Sequence, residues 1–412
     1  MNSKNISILI SGASIAGPTL AYWLRRYGFT ATVIERAPQL REGGYPVDVR
    51  NEAVQVSQRM GIWSRLQQEQ TTPGEILFVN ERHQRIGRVD LQAARKALDG
   101  ARPWVEIMRG DLARALFDLT KDEVEYRFGD SIQALNQDSE GVDVIFEKGA
   151  SRRFDLVVGA DGLHSNVRTL VFGDEEQFER YCGYHFGVFT IDNYPGFDAA
   201  SVYMYNVPGK LVAVRNSRDN QAPAAFFLFK QPNKLRYDHH DVKIQKQLLF
   251  SIFAREAWEV PTLLEKLQTT SDLYFDAVSQ IRMGTWSRGR VVLVGDAGYC
   301  PALLSGQGST LAMVGAYVLA GELHIALGDH QRAFQQYELL FGPMVRQEQK
   351  RVGTGVTFLV PSTRLSLLAR NRIAPLLVHP AVAVSQLLVG VLPRPGSTPS
   401  RVKDYANVGR PA

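Results

Sequence analysis

Hydrophobic positions follow two rhythms along this chain. Residues 6–10, Ile-Ser-Ile-Leu-Ile, form a short β-rich run, and residues 31–35, Ala-Thr-Val-Ile-Glu, form another. Between them, Leu20, Tyr22, Trp23 and Leu24 fall at helical spacing over residues 19–27, and Gly28 closes the segment. Strand, glycine turn, helix and strand make a βαβ unit of about 30 residues. The pattern next predicts helix over 51–67, strands within 73–92, and an amphipathic helix over 110–120 with Leu112, Ala115, Leu116 and Leu119 on one face. Strands follow at 124–128 and 142–147, and a fully apolar, buried one at 155–159.

From about residue 175 to 285 the rhythm changes. Aromatic β-rich runs at 185–191, 211–215, 224–230 and 273–281 dominate, interrupted by one helical stretch at 241–255. Residues 291–294 then return to a buried strand, and helices follow over 309–327 and 331–351. The implied fold is α/β: a Rossmann-like nucleotide-binding domain in two parts, 1–174 and 286–352, with a mixed β-sheet domain inserted at 175–285. A C-terminal helical segment occupies 353–412. Its residues 373–392 contain no Asp, Glu, Lys or Arg, a length that suits a bilayer. Pro375 and Pro380 interrupt the run, which favours a helix packed on the protein body over contact with a membrane surface.

Composition narrows the function classes. The 412 residues carry a net charge of +5, and Lys and Arg are scattered with no aromatic-laced basic stripe. That excludes a nucleic-acid surface and suits anionic small molecules. Two cysteines in unrelated contexts, Cys182 and Cys300, make neither a disulfide framework nor a zinc pattern, and fit a cytoplasmic protein. The N-terminal run resembles a signal peptide only superficially, because residues 12–17 have another explanation. No Ser-His-Asp string, Gly-x-Ser-x-Gly or His-x-x-x-His is present. His239-His240-Asp241 lies in a polar stretch and reads as surface rather than as a metal site.

Three motifs carry chemistry. The first is Gly12-Ala-Ser14-Ile15-Ala16-Gly17, a Gly-x-Gly-x-x-Gly turn with serine at the middle position. Such a turn aims backbone N–H groups and a helix N-terminus at a pyrophosphate. Serine keeps the position small and adds a hydroxyl donor. Glu35 ends the second strand, where an acidic side chain grips a ribose hydroxyl. The second motif is Asp155-Leu-Val-Val-Gly-Ala-Asp161-Gly162, a strand running into an Asp-Gly turn. The third is Gly289-Arg-Val-Val-Leu-Val-Gly295-Asp296, followed by Pro301 and Gly306-Gln307-Gly308. Here Asp296 is placed to accept from a sugar-like hydroxyl chain, and the N–H groups near Gln307 and Gly308 to face negative charge developing on a ring.

Together, in this order, these motifs resemble the FAD-dependent aromatic-ring monooxygenases of the p-hydroxybenzoate hydroxylase type, over residues 5–350. The resemblance implies that Gly12, Ser14, Ile15, Ala16, Gly17 and Glu35 hold the ADP half of FAD, with Arg36 along the adenine. It implies that Asp161 and Gly162 support the pyrophosphate region and NAD(P)H use, and that Gly295 and Asp296 hold the ribityl chain. Arg109 matches an arginine on the phosphate or ribityl side, and the stretch Gly44 to Arg50 a loop beside the flavin ring, with Pro301, Gly306, Gln307 and Gly308 on its other side. The strings at 160–165, 295–301 and 315–323 are most similar to the tetracycline-inactivating monooxygenases, a group with a C-terminal helix bridging the two domains. Ser14 and Tyr45-Pro46 depart from the pattern.

The implied activity is NADPH-dependent hydroxylation of an aromatic or polycyclic substrate, tetracyclines among the candidates. A single nucleotide fingerprint agrees with NADPH binding transiently, reducing the flavin and leaving. O2 then yields a flavin hydroperoxide that transfers a hydroxyl group. The protein supplies orientation and dryness, so no catalytic side chain is expected. Phe186, Phe226 and Pro301 are the candidate substrate contacts, and a monomer is expected. Two alternatives share the fold: an FAD-dependent reductase of the isoprenoid type, and a non-catalytic flavin-binding protein.

Overall fold

The computed structural model describes residues 6–41, 44–71, 74–91, 103–191, 196–199, 201–216, 223–350, 356, 359–377 and 402–405. Two large sheets organise it. The first has six strands in the order Ser287–Arg288, Val291–Leu293, Leu156–Gly159, Ser7–Ser11, Thr30–Glu35, Glu125–Phe128. All neighbours are parallel except the edge pair of 287–288 with 291–293. The central strands are nearly continuous apolar runs because helices cover both faces. Helix Ala16–Arg26 begins three residues before its apolar rhythm does, since Pro18 is tolerated in a first turn, where its N–H would have no partner. Helix Gly308–Ile325 is buried throughout residues 309–323, as its all-round apolar sequence requires. The helix predicted over 51–67 is two, Glu52–Arg59 and Trp63–Gln68, separated at Gly61, whose φ is +78°.

The second sheet has seven strands in the order Tyr274–Ile281, Glu179–Thr190, Ala224–Lys230, Lys210–Arg215, Ser201–Val207, Glu75–Val79, Arg85–Asp90. Its last two strands come from the 1–174 part of the chain. The parallel pairing of Ser201–Val207 with Glu75–Val79 joins them, and such a crossover leaves no local sequence signal. Strand Ser201–Val207 and helix Val260–Thr269 were not anticipated from the sequence.

The phenylalanines alternate across this sheet. Phe189, Phe227, Phe229 and Phe275 pack under helices Val242–Phe253 and Val260–Thr269. Gly187 lets the first of these settle, since a Cβ there would lie 2.6 Å from Leu249 Cδ1. Phe186, Phe226, Val188 and Val278 take the opposite face, with Tyr45, Tyr274, Ala302 and Leu303.

The C-terminal part touches both sheets' structures. Helix Arg364–Leu377 lies on the seven-stranded sheet, where Arg370 stacks 4.3 Å over Phe78 and donates to Asn206 Oδ1 at 2.9 Å. Residues 402–405 return to helix Gly308–Ile325. Tyr405 Oη donates to Glu322 Oε1 at 2.7 Å, and its ring occupies the space Gly321 leaves, which a Cβ would fill. The side chains of the apolar stretch 373–392 lie outside the described residues. Among the described residues, no helix is long and apolar enough to cross a membrane.

Candidate active site

A cleft of ≈ 510 Å³, open to solvent, runs from the first βαβ turn to the aromatic face of the seven-stranded sheet. That volume lies within the roughly 300–1,000 Å³ of small-molecule and cofactor sites. Its walls bring together Gly12, Ser14, Ile15, Ala16, Glu35, Arg36, Arg109, Asp161, Gly162, Asp296, Pro301, Gly306 and Gly308, residues spread over most of the chain.

At one end, Gly12 takes φ +110°, and a Cβ on Gly17 would strike the Gly12 carbonyl oxygen. Gly17 therefore seats the helix on the turn and does not itself line the cleft. Among the described residues, no side chain caps helix Ala16–Arg26. Its first-turn N–H groups and dipole are left to an anion. Glu35 accepts from Ala13 N and Ala37 N at 2.9 Å each, through different oxygens, which leaves acceptor capacity for hydroxyl groups. Arg36 lies beside it, half-exposed, with Ser131 Oγ at 3.5 Å.

Arg109 opens helix Arg109–Asp118 and donates from Nη2 to Ser14 Oγ at 2.9 Å. Among the described residues it makes no ion pair, so its charge stands beside the pyrophosphate-type turn. Gly44, at φ +100°, passes 3.6 Å (as a Cβ would) from Arg109 Cβ and starts the loop whose Tyr45, Pro46, Val47 and Asp48 line the cleft. Arg50 is buried away from the cleft. It donates to Gly306 O at 2.5 Å and Ser305 O at 3.3 Å, and pairs with Asp48 at 3.4 Å, pinning this loop to the turn at 305–306.

Asp161 is directed largely at its own chain, accepting from Ser165 Oγ at 2.5 Å and Val167 N at 3.1 Å, where it steadies the start of helix Asn166–Phe172. Burial raises its pKa. Gly162, at φ +84°, leaves open space where a Cβ would point. Gly295, at φ +69°, sets the third motif against the first, since a Cβ there would lie 3.1 Å from Ala16 Cβ. Asp296 is half-buried in the cleft wall, and desolvation raises its pKa against the lowering pull of Cys300 and Arg109. Among the described residues, helix Gly308–Ile325 also starts without a side-chain cap, and the buried Gln307 Oε1 beside it has no hydrogen-bond partner. Two uncapped helix ends and a cation on one cleft fit a large, anionic dinucleotide.

The other end is aromatic. Tyr45, Tyr274, Pro301, Ala302 and Leu303 line it. Tyr45 and Tyr274 stand 6.0 Å apart by ring centroid, and burial pushes the Tyr45 pKa up to about 12 and that of Tyr274 well above the ordinary value. Phe186 and Phe226 lie behind them: Phe186 packs on Tyr45 and Tyr274 but, like Phe226, is not among the cleft walls. Of the expected substrate contacts, Pro301 alone faces the cleft. Tyr274, Asp276 and His164 also line the cleft, though no motif in the sequence marks them as site residues. Alternation along 273–281 put 274 and 276 on one face, but nothing local said which face meets the cleft.

The cleft's mouth holds His164, His239 and His240. Asp241 instead caps helix Val242–Phe253 through Ile244 N at 3.0 Å. Among the described residues no group of three or more His, Cys, Asp or Glu is arranged to hold a metal.

Residues 5–338 match the model of the FAD binding domain. The chain belongs to the FAD-dependent monooxygenases. It is 38% identical over 373 residues to a flavin-dependent monooxygenase of Legionella longbeachae, covering 90% of this chain and 94% of that one. An uncharacterized protein of Mycobacterium tuberculosis is 41% identical over 350 residues, covering 85% and 93%. Among solved structures, the tetracycline destructase Tet(51) superposes with a TM-score of 0.80 at 32% identity, covering 94% of this chain and 99% of that one. The enzyme is a flavin-dependent monooxygenase of the aromatic-hydroxylase type.

Proposed function

We propose that this monooxygenase takes its electrons from NADPH and hydroxylates a polycyclic, phenol- or enol-bearing compound, with tetracyclines as the first candidates. The observation that carries the reading is the continuity of one cleft from the Gly12–Ala16 turn to the Tyr45–Tyr274–Pro301 wall. Gly12 to Ala16, Glu35 and Arg109 would hold the ADP half of FAD; Asp296 and the 306–308 turn would hold the ribityl chain and ring edge. Bound there, the flavin supplies hydride acceptance and oxygen activation. The chain's own residues orient the two partners and keep the ring end dry. Support for a polycyclic substrate comes from the aromatic wall of Tyr45 and Tyr274 and from the likeness to Tet(51), itself a tetracycline destructase. Support for transient NADPH binding is the single nucleotide fingerprint in the chain.

The test is turnover of the FAD-loaded protein with NADPH, oxygen and a panel of tetracyclines and simple phenols. Substrate-stimulated NADPH oxidation, and a product heavier by one oxygen atom, are expected. Turnover that continues without oxygen would mark a reductase. Loss of product from tetracyclines alone would narrow the substrate to another phenol.

A further inference from the structure

A chain of polar groups leaves the aromatic end of the cleft and crosses between the two sheets. Tyr274 and Asp276 are two apart on strand Tyr274–Ile281 and so share a face. Tyr274 Oη donates to Asp276 Oδ2 at 3.2 Å. The same oxygen accepts from His164 Nε2 at 3.0 Å, while Asp276 Oδ1 accepts from Ala277 N at 2.7 Å. His164 Nδ1 meets Glu175 Oε1 at 2.9 Å, so both ring nitrogens face carboxylates and both must donate. Glu175 is held in turn by the buried Arg168 at 2.6 Å, and Arg168 is fixed by the carbonyls of Ala297 and Leu163. His239 stacks on His164 at 4.3 Å. Tyr45 and Phe186 brace the Tyr274 ring.

This arrangement fixes a direction. A carboxylate accepts only, so the single Tyr274 proton is committed to Asp276. What Tyr274 offers the cleft is lone pairs. Resting on the monooxygenase reading above, we propose that Tyr274 orients the substrate by accepting a hydrogen bond from a phenolic or enolic hydroxyl, and that Asp276 and His164 set this polarity. The site thereby selects rings bearing a free hydroxyl over their ethers. Tyr274 touches substrate; Asp276 and His164 are positioning residues.

The polarity can be reversed. In Asp276→Asn the Ala277 N–H demands the amide oxygen at the Oδ1 position, which puts the amide NH2 where Oδ2 now faces Tyr274 and His164. Tyr274 then accepts from the amide and its proton turns to the cleft. The experiment measures binding of β-anthrol and its methyl ether to the FAD-loaded protein by the change in flavin absorbance. The wild type should bind β-anthrol about fivefold tighter or more, the size of one net hydrogen bond. Tyr274→Phe should lose the preference, and Asp276→Asn should favour the ether. Absence of a preference in the wild type, or its persistence in Tyr274→Phe, overturns the proposal without recourse to the second variant. Retained preference for β-anthrol in Asp276→Asn overturns the role of Asp276. If β-anthrol binds as expected yet never gains oxygen, the hydroxylase reading fails while the polarity assignment stands. If Tyr274→Phe hydroxylates β-anthrol with unchanged KM, the reverse holds.

Discussion

Replacing Arg109 by Gln should weaken FAD binding far more than replacing the serine that holds it. Arg109 donates to Ser14 Oγ at 2.9 Å and makes no ion pair among the described residues, so its charge is available to a phosphate at the Gly12–Ala16 turn. A charge-assisted hydrogen bond of that kind is worth about 1.5–3 kcal/mol. At about 1.4 kcal/mol per factor of ten, Arg109→Gln should raise the FAD dissociation constant by about 10- to 150-fold. Ser14→Gly removes the orienting acceptor but keeps charge and space, so FAD stays bound with a loss of less than about fivefold, one net hydrogen bond. Ser14→Leu fills the turn and should abolish binding. Quenching of FAD fluorescence on titration with apoprotein reads all three. Repeating it at high salt should shrink the Arg109 effect, because the cleft is open and the pair is screened. An Arg109→Gln constant within about threefold of the wild type, below the range of one such bond, would refute the placement of the phosphates. So would a Ser14→Gly loss as large as that of Arg109→Gln.

Two further outcomes follow from groups outside the cofactor turn. Tyr405 is fully buried and bonded to Glu322, so Tyr405→Ala should cost about 3–5 kcal/mol in chemical denaturation, the range for removing a buried aromatic ring; a change under about 1 kcal/mol, that of a surface site, would mean that residues 402–405 do not clasp the helix. Burial opposes the charged form of His164, but Asp276 and Glu175 outweigh it and push its pKa up to about 10. Since the folded value lies above the unfolded one of about 6.5, the stabilisation is complete below roughly pH 6.5 and fades as pH rises toward the folded value. The stability gap between wild type and His164→Gln should therefore be widest near about pH 6 and close by about pH 10, and a gap independent of pH would contradict the charged His164.

The parts of this site that were readable in the sequence are those whose geometry is set within a few residues. The Gly12–Gly17 turn needs only its own backbone and the helix that follows, and Glu35 needs only the end of its strand. Pairings over long separations were not readable. Ser14 looked like a tolerated stand-in for glycine; its bond to Arg109, 95 positions away, makes it a tether. His164 and Asp276 are 112 positions apart and meet only because the two sheets face each other. The alternation of Phe186 and Phe226 was visible, but Tyr45 and Tyr274 stand between Phe186 and the cleft. The seven-stranded sheet could not be completed from sequence, because its edge strands at 75–90 join it through one parallel pairing.

The account rests on one cleft serving cofactor and substrate together. A crystal structure of the protein saturated with FAD tests that most directly. The account predicts the adenosine beside Glu35 and Arg36, the pyrophosphate on the Gly12–Ala16 turn within reach of Arg109, and the ring between Pro301–Gly308 and the Tyr45 loop. FAD bound anywhere else, or a ring end directed away from Tyr45 and Tyr274, would contradict it.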